Sequence, residues 1–186
     1  MVPGGGEFTD VVRDADKRFR LSNGVSHRMA ILGMDQYGFL LSDLIGGSKV
    51  INQFDQIQNA FDLHQIPVFL PSNFMLNNDP LENSWDVTSD SIAVYLASRL
   101  CISKVVLAKD VEGIFTCDPK TCSDAQLIDQ ISAKQLEAMN TRTIVDKHLT
   151  KLIVQLQIKC FIVNGLFPER VEAVLNGQKT IYTLIY

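Results

Sequence analysis

Three short segments hold most of the residues whose types and spacing could do chemistry. They are a glycine run (Gly4, Gly5 and Gly6), a polar run at residues 85–93 and a charged run at residues 107–120. Consecutive glycines let main-chain N–H groups approach a phosphate closely, and a helix that starts after them adds a favourable dipole. The glycine run is neither a P-loop nor a G-x-G-x-x-G motif. Taken alone, it is more typical of a flexible tail or a tight turn, and a phosphate-binding loop is the functional alternative.

The polar run places the chain's only tryptophan before several hydroxyl and carboxylate residues that lead into an apolar helix. One N-cap residue and an acidic first turn are ordinary features of a helix start. The pattern alone favours such a cap. Residues 85–91 contain more polar groups than one cap needs, so a binding or catalytic site is the alternative.

The charged run continues an apolar strand into a loop that holds two lysines, two aspartates and a glutamate after Ala108. Ligands of open α/β sheets bind beyond the carboxyl ends of the strands, where this loop would lie. The alternative is a solvated turn.

Composition excludes several classes of partner. The 186 residues include 17 Lys+Arg and 21 Asp+Glu, which gives a net charge of −4. Nucleic-acid and anionic-membrane binding need concentrated positive charge, so neither partner is expected. The longest apolar runs are far shorter than the roughly 20 residues of a membrane-spanning helix. The composition is that of an ordinary globular domain.

The four cysteines contain no C-x-x-C pair. Cys101 and Cys160 lie in apolar runs and are predicted to be small core residues. Zinc bound by Cys117 and Cys122 would need more ligands than three scattered histidines offer, so no metal site is predicted. This cysteine usage indicates a reduced, cytoplasmic compartment.

Short apolar runs that alternate with helical patterns predict an α/β domain with a largely parallel sheet. The predicted strands are residues 49–51, 67–70, 104–108, 159–163 and 180–185. The predicted helices are residues 25–44, 55–63, a helix capped by Ser89 or Asp90, 146–156 and 168–175. The length prior favours a single domain over residues 1–186.

The order of the three segments resembles the amino-acid kinase superfamily. The glycine run, T-S-D-S-I-A at residues 88–93 and K-D-V-E-G-I-F-T-C-D-P-K at residues 109–120 carry the resemblance. It implies a three-layer α/β/α sandwich and Mg²⁺-dependent phosphoryl transfer from ATP. It also implies an acceptor-binding part at about residues 1–90 and a nucleotide-binding part at about 90–186. A homo-oligomer formed through the helix at residues 25–44 is a further implication.

Within the superfamily, five segments resemble the small kinases of methanofuran biosynthesis. These are residues 2–8, 26–30, 34–38, 84–93 and 163–165. The implied acceptor is an aminomethylfuran methyl phosphate, which ATP converts to the diphosphate. Uridylate kinases share the general layout, so uridine monophosphate is the second acceptor.

Family members begin with a strand that ends in Lys-x-Gly-Gly-Ser, a segment this sequence does not contain. The third alternative is therefore a non-catalytic nucleotide-binding module. Met1 to Pro3 resemble the end of a second strand. The expectation is that the protein begins about 30 residues upstream, enough for a strand and one crossover.

The resemblance also implies roles for single residues. The glycine run would hold the phosphates near the point of transfer. The implied catalytic residues are Asp90, which would organise lysines, and Lys147, which would contact the ATP phosphates. The implied nucleotide-binding residues are Lys109, Phe115, Asp118 and Lys120.

On the acceptor side, the fork of the Arg28 guanidinium suits a phosphate, and His27 could assist it. Trp85 could stack on a small aromatic ring while Asp86 pairs with an ammonium group. The alternatives are a capping or surface role for His27 and a core position for Trp85.

Overall fold

The computed structural model describes residues 1–139 and 144–186. Two compact units divide the chain, Met1–Ile92 and Ala93–Tyr186. The chain passes from the first unit to the second within helix α5 (Ser89–Arg99). Each unit combines helices with strands that pair mainly in parallel.

In the first unit, a parallel strand pair is covered by helices. Before α5, its elements are α1 (Gly6–Phe19), α2 (Asn23–Leu44), β1 (Ser48–Ile51), α3 (Gln56–Asp62), β2 (Ile66–Phe69) and α4 (Ser72–Asn78). β1 and β2 pair from Ser48 opposite Ile66 to Ile51 opposite Phe69. The Met1 amino group donates to the Pro67 carbonyl at 2.7 Å, and the Phe69 N–H donates to the Met1 carbonyl at 2.9 Å. The chain thus runs beside β2 immediately before the glycine run.

Helix α2 approaches its neighbours closely at two glycines. A Cβ atom added to Gly33 would lie 3.0 Å from the Thr9 hydroxyl of α1. A Cβ atom added to Gly38 would lie 2.5 Å from Leu70 Cδ2 and 3.2 Å from Pro3 Cγ. The missing side chains let α2 contact α1 at one position and the end of β2 at the other.

In the second unit, a mixed sheet has the strand order β3-β5-β6-β4. Its elements after α5 are β3 (Lys104–Lys109), β4 (Gln130–Ile131), α6 (Ala133–Ala138), α7 (Leu149–Leu156), β5 (Lys159–Asn164), α8 (Pro168–Leu175) and β6 (Thr183–Ile185). β3 and β5 are parallel through six residue pairs. β6 is antiparallel to β5 and parallel to β4. Fully buried side chains of β5 and α7, including Cys160, Ile162 and Leu149, form the core.

The predicted α/β class and the parallel pairing are confirmed. The two-residue strand β4 and the short helices α4 and α6 are not predicted by the sequence pattern. Within the described ranges, no helix is both long enough and apolar enough to cross a bilayer.

The cysteine predictions have mixed outcomes. Cys160 is buried as predicted, whereas the core position predicted for Cys101 is wrong. Cys101 is exposed, with a positive φ of 56°, because it lies in the turn after α5 and not in the following strand. Cys117 and Cys122 form a disulfide, which departs from the expectation of reduced thiols.

Because Leu70 is buried, it has little room to move away from a methyl group on Gly38. Overpacking costs about 1–3 kcal/mol, and the better helix propensity of alanine recovers roughly 0.5–1 kcal/mol. We expect Gly38→Ala to lower Tm by about 2–8 °C in a thermal unfolding experiment. Gly24→Ala in the same helix is the matched control, since its Cβ would meet only Asn83 Oδ1 at 3.9 Å. Equal Tm values for the two variants would contradict the packing argument.

Candidate functional site

A cavity of about 240 Å³ opens in the first unit between α1, α2 and residues 85–92. Polar side chains that line it are Thr9, Asp10, Arg13, His27, Thr88 and Ser89. Gly5, Gly6 and Trp85 also line it. A Cβ atom added to Gly4 would lie 3.6 Å from Ser89 Oγ. The glycine run and the polar run, which are far apart in sequence, therefore meet at one cavity.

The glycine run leaves the main chain accessible at the start of α1. Gly6 has a φ of +48°, and a Cβ atom there would lie 2.5 Å from the Tyr37 ring. A Cβ atom on Gly5 would overlap Thr9 Oγ1 at 1.6 Å. The first N–H groups of a helix have no acceptor within the helix, and the helix dipole favours an anion there. The start of α1 therefore offers main-chain N–H groups to an anion.

Helix α1 fixes the orientation of Trp85. The indole Nε1 donates a hydrogen bond to Asp16 Oδ2 at 2.7 Å. The guanidinium carbon of Arg13 lies 4.3 Å from the centroid of the Trp85 ring. Arg13 Nε also lies 3.9 Å from Asp10 Oδ1. The guanidinium of Arg13 therefore lies over an aromatic ring at the cavity, with a carboxylate near its Nε.

His27 is a buried member of the cavity wall, with 6 % of its surface exposed. Burial lowers the pKa of His27, and the neighbouring Arg28 charge lowers it further, whereas Asp79 opposes the shift. A lowered pKa favours the neutral imidazole, which donates at one nitrogen and accepts at the other.

The structure places two of the four predicted acceptor residues at the cavity and two outside it. Of the described residues, Trp85 and His27 line the cavity, while Arg28 and Asp86 are exposed and outside its lining. The cation at the cavity is Arg13, which belongs to none of the predicted site residues. A usable signal was present, because Arg13 follows Gly6 by seven residues and so lies on the same helix face.

Asp90 is buried, with 5 % of its surface exposed, in the first turn of α5. Its N–H lies 3.5 Å from the Thr88 hydroxyl oxygen. The N-terminal turn of a helix is the position where its dipole stabilises a carboxylate. Asp90 is therefore a buried carboxylate of the polar run that lies at the N-terminal end of α5.

In the second unit, Lys109 is the last residue of β3 and pairs with Asn164, the last residue of β5. The chain then forms a hairpin-like loop, the excursion over residues 110–128. Phe115 and Leu127 form an antiparallel bridge at its base. The charged run thus leaves the carboxyl end of a parallel strand pair, as the sequence predicts.

Asp118 and Lys120 lie at the exposed tip of this excursion. Asp118 Oδ1 accepts a hydrogen bond from the Lys120 N–H at 2.9 Å. The disulfide between Cys117 and Cys122 encloses both residues. Lys147 is exposed in the turn before α7 and not within the helix that was predicted to begin at residue 146.

Comparisons with known proteins agree on one family. The sequence model of the amino acid kinase family matches residues 1–164. The (5-(aminomethyl)furan-3-yl)methyl phosphate kinase of Methanocaldococcus jannaschii is 36 % identical over 185 residues, 100 % of this chain and 82 % of that protein. A uridylate kinase of Methanococcus maripaludis is 29 % identical, and the match covers 96 % of this chain and 92 % of the relative.

Solved structures agree on the fold. The crystal structure of uridylate kinase from Archaeoglobus fulgidus superimposes with a TM-score of 0.73 and 22 % identity, over 98 % of this chain and 82 % of that chain. UMP kinase from Ureaplasma parvum gives a TM-score of 0.71 at 19 % identity, over 92 % of this chain and 75 % of that chain.

The lowered pKa of His27 predicts a pH-dependent stability. The unfolded chain, with a histidine pKa of about 6.5, binds the proton before the folded chain does, so the free energy of unfolding falls as pH drops below about 6.5. We expect His27→Gln to reduce this fall in chemical denaturation measured between about pH 7.5 and 5. The exposed His64→Gln is the control. If the free energy of unfolding of His27→Gln depends on pH as that of the parent does, His27 is not the group responsible.

Proposed function

The chain belongs to the amino acid kinase family, and we propose that it transfers the γ-phosphoryl group of ATP to (5-(aminomethyl)furan-3-yl)methyl phosphate, forming the diphosphate. The family match over residues 1–164 and the kinase relatives support an ATP-dependent phosphotransferase. The choice of this acceptor rests on the 36 % identity over the whole chain to the kinase of that furan phosphate.

The cavity of the first unit supports a small acceptor. Its volume of about 240 Å³ lies below the range of roughly 300–1,000 Å³ that is typical for drug-sized ligands. Arg13 lies over one face of the Trp85 ring, so only the other face is left for stacking with a furan ring. Uridine monophosphate is the second candidate because uridylate kinases are also relatives.

We assign the transferring phosphates to the start of α1. Side chains at Gly5 and Gly6 would clash with Thr9 and Tyr37, and the first N–H groups of the helix that follows favour an anion. An oxygen of the acceptor phosphate attacks the γ-phosphorus, a new P–O–P bond forms, and ADP leaves with the electron pair of the broken bond. Such a reaction depends on positioning and on neutralising charge rather than on covalent catalysis by the protein.

The remaining roles follow the family resemblance. Asp90 would organise the lysines, and Lys147 would contact the ATP phosphates. The second unit would bind the nucleotide through Lys109, Phe115, Asp118 and Lys120, and the first would bind the acceptor.

Mg²⁺ would enter with the nucleotide. No group of three or more His, Cys, Asp or Glu side chains suited to a metal occurs within residues 1–139 and 144–186. Proteins commonly hold Mg²⁺ through substrate phosphates and only one or two carboxylates, so the ion would be bound mainly through the phosphates of ATP.

We further propose a homo-oligomer that forms through α2. This helix exposes apolar side chains at heptad-like spacing, including Val25, Met29, Leu32 and Phe39. A second copy of the chain is the occupant expected for such a stripe. A monomeric mass at micromolar concentration in analytical ultracentrifugation would contradict this proposal.

A panel of phosphorylated acceptors with ATP and Mg²⁺ tests the proposed reaction. We expect the aminomethylfuran phosphate to give the highest kcat/KM, measured by ADP release and by detection of the diphosphate. Higher kcat/KM for uridine monophosphate would identify a uridylate kinase. ATP binding without turnover of any acceptor would instead identify the non-catalytic module.

Two arginines can be compared in the same assay. Arg13→Ala should raise the KM for the acceptor while the KM for ATP stays the same, because Arg13 lies at the cavity. The sequence predicts the same effect for Arg28→Ala, although Arg28 is exposed. An effect of Arg28→Ala alone would place the acceptor phosphate outside the cavity.

Asp90→Asn keeps the size of a buried side chain and removes its charge. We expect kcat to fall by about 10²-fold or more, as at other preorganised charged sites, with Tm nearly unchanged. The exposed Asp43→Asn in α2 is a control for the same substitution. Activity of Asp90→Asn equal to that of the parent would refute the catalytic assignment.

A further inference from the structure

We propose that Glu112 is a positioning residue for nucleotide binding, acting through Asn164 and Arg170. The inference rests on the proposed function, since it concerns the ATP side of that reaction. None of these three residues is among those assigned above to ATP or to the acceptor.

Both oxygens of the Glu112 carboxylate have partners. Asn164 Nδ2 donates to Glu112 Oε1 at 3.1 Å, and Arg170 Nη1 donates to Glu112 Oε2. The amide of Asn164 is itself fixed, because its Oδ1 accepts the Leu166 N–H at 3.0 Å. Glu112 therefore connects the loop after β3 to the end of β5 and to α8.

Arg170 occupies an unusual position for a cation. It lies in the first turn of α8, where the helix dipole disfavours positive charge. Two contacts offset this: the ion pair with Glu112 and stacking of its guanidinium carbon 4.0 Å from the centroid of the Phe167 ring. A charged donor held from two sides is well suited to fix the direction of a carboxylate.

Glu112 lies between two residues assigned to the nucleotide, Lys109 and Phe115. Lys109 is held by strand pairing, and its carbonyl accepts the Gly165 N–H at 2.7 Å. On the other side of Glu112, the Ile114 N–H donates to Thr183 Oγ1 at 2.9 Å. Lys109 and Ile114 are thus both fixed through their main chain. The contacts of Glu112 restrain the turn between them, which sets where the loop leaves β3.

These contacts favour a positioning role for Glu112 over two simpler roles, a direct contact with the triphosphate and a stabilising ion pair. A carboxylate whose oxygens both accept hydrogen bonds from the protein is a poor direct ligand for a triphosphate. The pair is also partly accessible to water, with side-chain exposures of 19 % for Arg170 and 36 % for Glu112. Loss of an ion pair of that accessibility costs less global stability than loss of a fully buried pair. Its main effect is on the local direction of the loop.

The test compares Glu112→Gln and Arg170→Met with the parent protein in steady-state kinetics and in titration with a non-hydrolysable ATP analogue. We expect the KM for ATP and the Kd for the analogue to rise about tenfold, as for a displaced positioning group. The kcat, the KM for the acceptor and Tm should change little. Glu172→Gln is the matched control, because Glu172 is an exposed glutamate of α8.

The double variant Glu112→Gln/Arg170→Met adds a second criterion. Residues that act as one unit are non-additive, so the double variant should bind the analogue no more weakly than either single variant. Additive losses would overturn the proposal, as would a fall in Tm that accounts for the lost affinity. Affinities of Glu112→Gln equal to those of Glu172→Gln would also overturn it. A parent protein that binds no ATP analogue would instead refute the proposed function.

Discussion

Hydrogen bonds between parallel strands determine where the candidate functional residues of both units lie. In the first unit, Met1 pairs with the main chain of β2, and the glycine run follows at once. In the second, β3 and β5 end together at Lys109 and Asn164. Parallel strands bring their carboxyl ends to one edge of a sheet. Residues far apart in sequence are thereby gathered, and a shift in strand register would separate them.

Helix packing then converts one of these edges into a cavity. The absence of side chains at Gly33 and Gly38 lets α2 contact both α1 and the end of β2. Close contact with α2 fixes α1, and α1 in turn carries Arg13 and Asp16 to Trp85. Because the indole is already held on one face and at its N–H, binding a ligand need not order it. Such preorganisation reduces the entropy lost on binding.

The sequence predicts the elements better than it predicts their partners. The strands at residues 104–108 and 159–163 and the helix at residues 168–175 are confirmed within one residue, because continuous apolar runs and a first-turn proline are local signals. Arg13 was missed because its role depends on a tryptophan 72 positions away in sequence. The Cys117–Cys122 disulfide was missed because spacing alone does not place two thiols close together. β4 was missed because two residues carry no periodicity.

The base and the tip of the charged run are held by different kinds of contact. This difference affects how a nucleotide would bind. Its base is fixed from outside, by Asn164 and Arg170 through Glu112 and by Thr183 through Ile114. The bonds described for its tip are internal: Asp118 accepts from Lys120, and the disulfide joins Cys117 to Cys122. The internal bonds preserve the shape of the tip, while the external bonds set its direction. Lys109 and Phe115, at the base, are therefore positioned by the sheet, whereas Asp118 and Lys120 depend on how that base directs the loop.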